Sequence, residues 1–317
     1  MITLLSPKNG ACVSLHTNEQ RRLLDGDYLT DTTENDGSFP APVIIEFEPR
    51  SDATVTLTRT KDKKTSTYQA KNGKAEIYNL TVGDEYIWQV RIGFMTSEVR
   101  AFKTVNQAPR LIRIDGISNV RDIGGYVATN ETALRQGLLF RSSELDCHFQ
   151  ISDTGKRQLT DELGIKTEID LRGINGESAK ATLDGVTHLR FPLAAYGEIF
   201  EENQKELYRR IFTLLSDRSI YPALIHCWSG ADRTGTLCYV LGALLGVDEG
   251  ELELDYELSS FSVCGSRSVN TEDFKKFKSI FYSFGSTARA ASENFLHSCG
   301  VDSQTVEKIR EIFKDLY

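Results

Sequence analysis

The stretch Leu224-Ile225-His226-Cys227-Trp228-Ser229-Gly230-Ala231-Asp232-Arg233-Thr234-Gly235 decides how this chain is read. An apolar run enters it from Ala223 to Ile225, and an apolar helical pattern leaves it from Thr234 to Leu245. A short loop between a strand and a helix points successive backbone N–H groups inward and forms a nest for an anion. The helix N-terminus adds unsatisfied donors and the positive end of its dipole. Gly230 permits a backbone turn that a larger residue resists. Arg233 can close the cradle, because its planar guanidinium matches two oxygens of a phosphate group.

The same surroundings act on Cys227. A thiol at a helix N-terminus beside cationic donors ionises more readily than a free one. Cys227 is therefore expected to attack phosphorus as the thiolate, giving a cysteinyl-phosphate that water then hydrolyses. Trp228, Ser229, Gly230, Ala231, Asp232 and Arg233 are the expected phosphate-binding positions. His226 is expected to orient the cysteine rather than act as a base. The Thr234 hydroxyl is placed to stabilise the sulfur as it leaves. This chemistry needs no metal and no organic cofactor.

Outward from this segment the pattern is α/β. Ser152 can cap a helix that runs to Leu163 and stops at Gly164. Ile165–Leu171 reads as a strand, and Leu207, Ile211, Leu214 and Leu215 mark a helix over 201–216. Further helices are expected from Asp248 to Leu258, on the stripe Phe274, Phe277, Ile280, Phe281, Phe284, over 286–298, and on the face Val306, Ile309, Phe313, Leu316. These stripes read as core.

Residues before about 105 follow a different rule. Short alternating or apolar runs recur at Val43–Phe47, Thr54–Thr58, Ala75–Leu80, Tyr86–Ile92 and Val99–Val105. Asp36-Gly37, Asn72-Gly73 and Gly83-Asp84 punctuate them. Strands at that spacing suggest a sandwich. Gln107-Ala108-Pro109-Arg110 reads as the linker, and residues 16–40 have no clear pattern. The expected organisation is a β-sandwich over 1–106 followed by a three-layer α/β catalytic domain over 107–317.

A net charge of −8 disfavours nucleic acid as a partner. No apolar run approaches the ~20 residues of a membrane helix. The start of the chain has no basic segment before an apolar one, so a cytoplasmic chain is expected, with secretion as the alternative if a leader has been removed. The six cysteines (12, 147, 227, 238, 264, 299) show neither a disulfide framework nor paired zinc spacing. The five histidines never fall at i, i+4, and the pair Cys147-His148 has no second ligand pair nearby, so no metal site is expected. A disulfide between Cys227 and Cys238, one helical turn past Thr234, is a minor alternative to two reduced thiols.

The His-Cys, central Gly and Arg-Thr-Gly segment matches the signature of the cysteine-dependent protein tyrosine phosphatases. Asn119-Val120-Arg121-Asp122-Ile123-Gly124-Gly125 resembles the opening motif of a bacterial and fungal branch that includes secreted tyrosine and lipid phosphatases. Leu139-Phe140-Arg141-Ser142-Ser143-Glu144-Leu145 and Ile169-Asp170-Leu171-Arg172, with Glu177 after them, are similar to its next landmarks. Asp255-Tyr256-Glu257-Leu258-Ser259 and Gly300–Ile309 also fit, so the resemblance spans about 110–317. The N-terminal stretch Leu80–Val90, with Tyr86 where a tyrosine corner would sit, resembles a fibronectin type III or immunoglobulin-like module.

The resemblance implies that Cys227 is nucleophile and Arg233 phosphate binder. It makes Asp232 the candidate general acid, with Glu198, in the loop after the strand His188–Leu193, as second candidate. Many members of the branch carry Lys before the Asp-Arg pair, a residue linked to highly charged substrates such as phosphoinositides; here that position is Ala231. The expected substrate is therefore a protein-borne phosphotyrosine or small aryl phosphate. A phosphoinositide or inositol-polyphosphate phosphatase and an inert scaffold are the alternatives. Dual specificity is within reach of such a pocket. Asp122, Arg141 and Asp170 are expected to be structural, Asn119 to fix a turn, and Arg172 to support the site from a strand's carboxyl end. The β module is expected to serve recognition, as a surface for a protein partner.

Overall fold

The computed structural model describes residues 1–27, 36–173 and 180–315. Glu177 and Leu316, singled out above, lie outside the described residues. The chain divides into two compact units, Met1–Arg21 with Pro40–Ile112 and Arg22–Phe39 with Arg113–Tyr317. The division is not a single cut, since Arg22–Phe39 belongs with the second unit.

The first unit holds β1 (Thr3–Ser6), β2 (Ala11–Val13), β3 (Val43–Glu48), β4 (Ala53–Arg59), β5 (Thr65–Ala70), β6 (Lys74–Ile77), β7 (Glu85–Ile92), β8 (Met95–Thr96) and β9 (Arg100–Thr104). One sheet runs β1-β3-β6; the other runs β2-β9-β7-β4-β5, with β8 on β7. The alternating residues Val43, Ile45 and Phe47 of the first sheet and Val55, Leu57, Trp88 and Val90 of the second share one buried cluster. Such period-two burial is what these runs dictate. Asn72 and Gly73, both at positive φ, turn β5 into β6 as a two-residue hairpin requires. The N–H of Thr81 donates to the Tyr86 hydroxyl at 3.0 Å. The expected linker is packed within this unit: Arg110 Nε donates to the Leu80 carbonyl at 3.0 Å. The helix α1 (Asn18–Leu24) carries the chain across the division.

The second unit adds β10 (Arg121–Asp122), β11 (Leu139–Ser142), α2 (Asp153–Arg157), β12 (Thr167–Asp170), β13 (Thr187–Arg190), α3 (Glu202–Leu215), β14 (Ala223–His226), α4 (Asp232–Leu245), α5 (Glu249–Glu257), α6 (Glu272–Phe281), α7 (Ala288–Ser298) and α8 (Ser303–Phe313). Its sheet runs β10-β11-β14-β12-β13. The pairs β11/β14, β14/β12 and β12/β13 are parallel, and β10 is antiparallel to β11. All four residues of β14 are buried, the mark of a central parallel strand covered on both faces. α4 is buried from Thr234 to Leu245, so an apolar helix lies in the core directly behind the signature loop. Gly246, at φ 86°, ends it in the left-handed conformation.

The helix expected over 152–163 begins as read, with Ser152 Oγ accepting from Gly155 N–H. It then widens into a π turn over Gln158–Glu162. Phe284 falls beyond α6 and stacks on Phe200 at 5.7 Å instead.

Candidate active site

The register places Ser142 beside His226 and Asp170 beside His226. The carboxyl ends of β11, β14 and β12 are therefore level, and ligand sites of open α/β sheets lie at that edge. Cys227 is the first residue beyond β14 and is buried. The loop runs over Trp228, Ser229, Gly230 and Ala231 into α4.

Gly230 sits at φ +70°, and a Cβ there would stand 2.2 Å from the Ser142 carbonyl oxygen. Only glycine meets both conditions. Around it, four consecutive loop carbonyls are held from the scaffold side. His226 Nδ1 donates to the Cys227 carbonyl (3.1 Å) and the Glu144 N–H to that of Trp228 (2.8 Å). Asn119 Nδ2 donates to the carbonyl of Ser229 (3.1 Å) and Arg141 Nη2 to that of Gly230 (2.6 Å). In a trans peptide the next N–H points opposite its C=O. The amides of Trp228, Ser229 and Gly230 therefore turn away from the scaffold, while that of Ala231 donates to Ser229 Oγ at 3.3 Å. No side chain caps the start of α4, which leaves its first-turn donors to an anion. The buried Thr234 hydroxyl, one turn in, has no hydrogen-bond partner among the described residues. Arg233 is half-buried on the same turn.

Two buried charge clusters brace this loop. On the β11 side, Arg121 Nε donates to Asp255 Oδ1 at 2.7 Å and Arg141 Nη1 to Asp255 Oδ2 at 2.5 Å. Arg121 also bonds Asn119 Oδ1, which locks the asparagine that grips Ser229. Burial pushes the Asp255 carboxyl up, but the two guanidiniums outweigh it and hold it below the usual carboxylate value.

On the β12 side, Arg172 reaches Asp170 (2.8 Å), Glu144 (2.8 Å) and Asp146 (2.6 Å). Its guanidinium is thus committed to three carboxylates behind the loop. His226 stands next to it, with Nε2 on Glu168 Oε1 at 3.0 Å. Both of its ring nitrogens face oxygens that only accept, which suits the imidazolium. Burial alone would lower the His226 pKa; the Glu168 hydrogen bond and the charges of Asp170 and Glu168 raise it.

Asp232 opens α4 with its carboxylate gripped from outside. Arg267 donates to it through Nε (2.7 Å) and Nη2 (2.9 Å), and the Tyr196 hydroxyl bonds Oδ1. Burial and the Asp232 charge push the Tyr196 phenol well above its ordinary value, so it is the donor. Glu198 is exposed on the 3-10 turn Tyr196–Phe200. Asp122 accepts from the N–H groups of Gly124 (2.9 Å) and Gly137 (2.7 Å), a turn-fixing role. Cys238 is buried, and burial pushes its thiol up to about 11; both it and Cys227 are free thiols.

Sequence reasoning missed Asp255 as the hub of a cluster, Glu168 as the partner of His226, and Arg267. Glu168 carried a signal, a charge inside an otherwise buried strand. Arg267 lies in a serine-rich loop with no periodic or motif signal. Glu144, Cys147 and His148 bring ligand atoms within 4.8 Å of one another, because the loop after β11 folds back on its own buried glutamate.

Among the described residues, no helix is long and apolar enough to cross a membrane. The model of the tyrosine phosphatase family matches residues 112–315. The triple specificity protein phosphatase PtpB of Mycobacterium tuberculosis is 28% identical over 204 residues, covering 47% of this chain and 69% of that protein. A putative tyrosine-protein phosphatase of Cupriavidus necator is 26% identical over 207 residues, covering 53% and 71%. Among solved structures, the catalytic core of the PP-IP phosphatase Siw14 from S. cerevisiae aligns with a TM-score of 0.34 at 17% identity, over 52% of this chain and 87% of that one. With the family model matched over residues 112–315, the chain belongs to the tyrosine phosphatase family and is a cysteine-dependent phosphatase.

Proposed function

We propose that this enzyme hydrolyses phosphotyrosine-type monoesters, with Cys227 as nucleophile and Arg233 as phosphate clamp. The observation that carries the reading is the row of four loop carbonyls fixed to the scaffold. That row pre-sets the opposing amides for a phosphate's oxygens, so little reorganisation is needed as charge develops. The Cys227 thiolate attacks phosphorus, the aryl oxygen leaves with a proton, and water then cleaves the S–P bond to free the thiolate. The partnerless Thr234 hydroxyl is available to the sulfur in that second step. His226 is a positioning residue, because its ring is tied to the Cys227 carbonyl and to Glu168.

Asp232 is proposed as the proton donor. Its two oxygens are engaged by Arg267 and Tyr196, so the donor role requires the Arg267 pair to open. An Asp232→Asn variant should lose far more turnover on alkyl phosphates, whose leaving groups need a proton, than on activated aryl phosphates. Equal losses on both would assign the proton to another group, with Glu198→Gln the next variant to measure.

Phosphotyrosine is favoured over inositides because position 231 carries a buried alanine rather than a cation. The test is initial rates of wild type and Cys227→Ser on phosphotyrosine peptide, phosphoserine peptide and phosphoinositide, in chelator. Selective, Cys227-dependent turnover of phosphotyrosine supports the reading, and faster turnover of phosphoinositide overturns it.

The first unit is proposed to be a fibronectin type III-like sandwich that presents a protein-binding surface. Its two sheets around one core and the Tyr86–Thr81 bond at the turn into β7 support this.

A further inference from the structure

We propose that Glu144, Cys147 and His148 form a transition-metal site of the zinc class beside the signature loop, and that its occupancy is coupled to Trp228. The three side chains supply a carboxylate, a thiol and an imidazole whose ligand atoms lie within 4.8 Å of one another. Soft sulfur with imidazole selects zinc and its neighbours over magnesium or calcium. Three protein ligands leave a fourth tetrahedral position for water.

The site has a buried anchor and an exposed side. Glu144 is buried, and its Oε2 is held by Arg172 at 2.8 Å. Its Oε1 accepts from the His148 N–H at 2.7 Å and lies 2.9 Å from His148 Nδ1. Tetrahedral zinc with bonds of about 2.0–2.2 Å places its nitrogen and oxygen ligands roughly 3.3 Å apart, close to that separation. Cys147 is an exposed free thiol, and the His148 side chain is largely exposed, so a cation reaches both from solvent.

His148 Nδ1 faces two neighbours at once, Glu144 Oε1 and Trp228 Nε1. Trp228 Nε1 lies 2.6 Å from the same Nδ1. An indole N–H only donates, so that contact requires an unprotonated Nδ1, whereas the Glu144 contact requires a protonated one. One nitrogen cannot satisfy both neighbours. A metal ion bridging Nδ1 and Glu144 Oε1 resolves the Glu144 contact. It also takes the lone pair that Trp228 otherwise uses, and the Cys147 proton passes to solvent. Binding therefore releases the Trp228 indole, which the 5.1 Å edge contact with His148 otherwise restrains.

The probe is Co2+ added to the full chain carrying Cys227→Ser, which removes the signature thiol as a competing ligand. The expected result is one equivalent bound, with thiolate-to-cobalt charge-transfer absorption and a change in Trp228 emission; Trp88 is buried in the first unit and serves as the silent reference. Adding Cys147→Ser, at an exposed position where folding is checked by the unchanged melting transition, should abolish the absorption. His148→Asn should weaken binding at least tenfold. No charge-transfer band in the Cys227→Ser chain, or a band that survives Cys147→Ser, overturns the proposal.

Discussion

The two sides of β14 are braced by opposite charge. Toward β11, two buried guanidiniums share one carboxylate, Asp255. Toward β12, one guanidinium, Arg172, sits among three carboxylates, and His226 leans on a fourth, Glu168. The surplus of positive charge lies under Gly230 and Ser229, where the loop turns into α4. The surplus of negative charge lies behind Cys227, where the strand ends. The first cluster leaves one net positive charge under the loop. The second fixes the imidazolium and the carbonyl next to the sulfur. The loop is thus tuned at one end for binding and held in register at the other, with side chains that need not touch substrate.

Removing the hub of the positive cluster should have the largest effect on stability. Asp255→Asn leaves Arg121 and Arg141 buried without their counter-ion, and breaking a buried pair costs roughly 3–5 kcal/mol. Urea unfolding measures it. The folded Asp255 value is depressed, so the wild-type contribution is present above the unfolded carboxyl pKa and fades only as pH falls through the lower folded value. The difference between wild type and variant should shrink only in strong acid.

Arg141→Met should cost less stability but more function. It frees the Gly230 carbonyl, and misplacing a catalytic loop by an ångström can lower rate by about 10²-fold. A fall in kcat/KM of that order, with the fold retained, separates loop-setting from general scaffolding. A fall of less than about twofold would make the Arg141–Gly230 bond incidental.

The negative cluster should give the smallest change and a different pH signature. Glu168→Gln weakens a charge-assisted hydrogen bond worth roughly 1.5–3 kcal/mol. The folded His226 pKa is raised, so this stability is fully present below the unfolded histidine value and is lost as pH rises through the folded one. Melting curves of wild type and variant should diverge in mild acid and converge at alkaline pH. Divergence that grows with pH would mean that His226 is neutral in the folded protein.

These clusters also mark where the sequence was legible. The strand–loop–helix of 223–245 could be read because an all-apolar strand, a forced glycine and an all-buried helix each leave a local trace. Strands β3, β4, β7 and β9 were legible from their alternation, whereas β5 was not. Its inward positions are Ser66, Tyr68 and Ala70, with Thr65, Thr67 and Gln69 exposed between them, so no strong apolar period announces it. The braces were half legible. Arg121, Arg141, Glu144, Asp170, Arg172 and Asp255 all stood in family-like motifs, but which carboxylate pairs with which guanidinium is set by the sheet order, and Asp146 stood in no motif. The grip of Arg267 on Asp232 crosses 35 positions from a loop without pattern. The Glu144, Cys147, His148 group was overlooked because a single Cys-His pair has no zinc spacing, and the third ligand comes from the fold of one loop.

The account stands on Cys227 being phosphorylated during turnover. The direct measurement is a rapid acid quench of enzyme mixed with a phosphotyrosine peptide, followed by mass analysis of the peptides around the signature loop. The expected result is one phosphoryl group on Cys227 in wild type. A phosphoryl group on any other residue, or steady turnover that persists in Cys227→Ser, would contradict it.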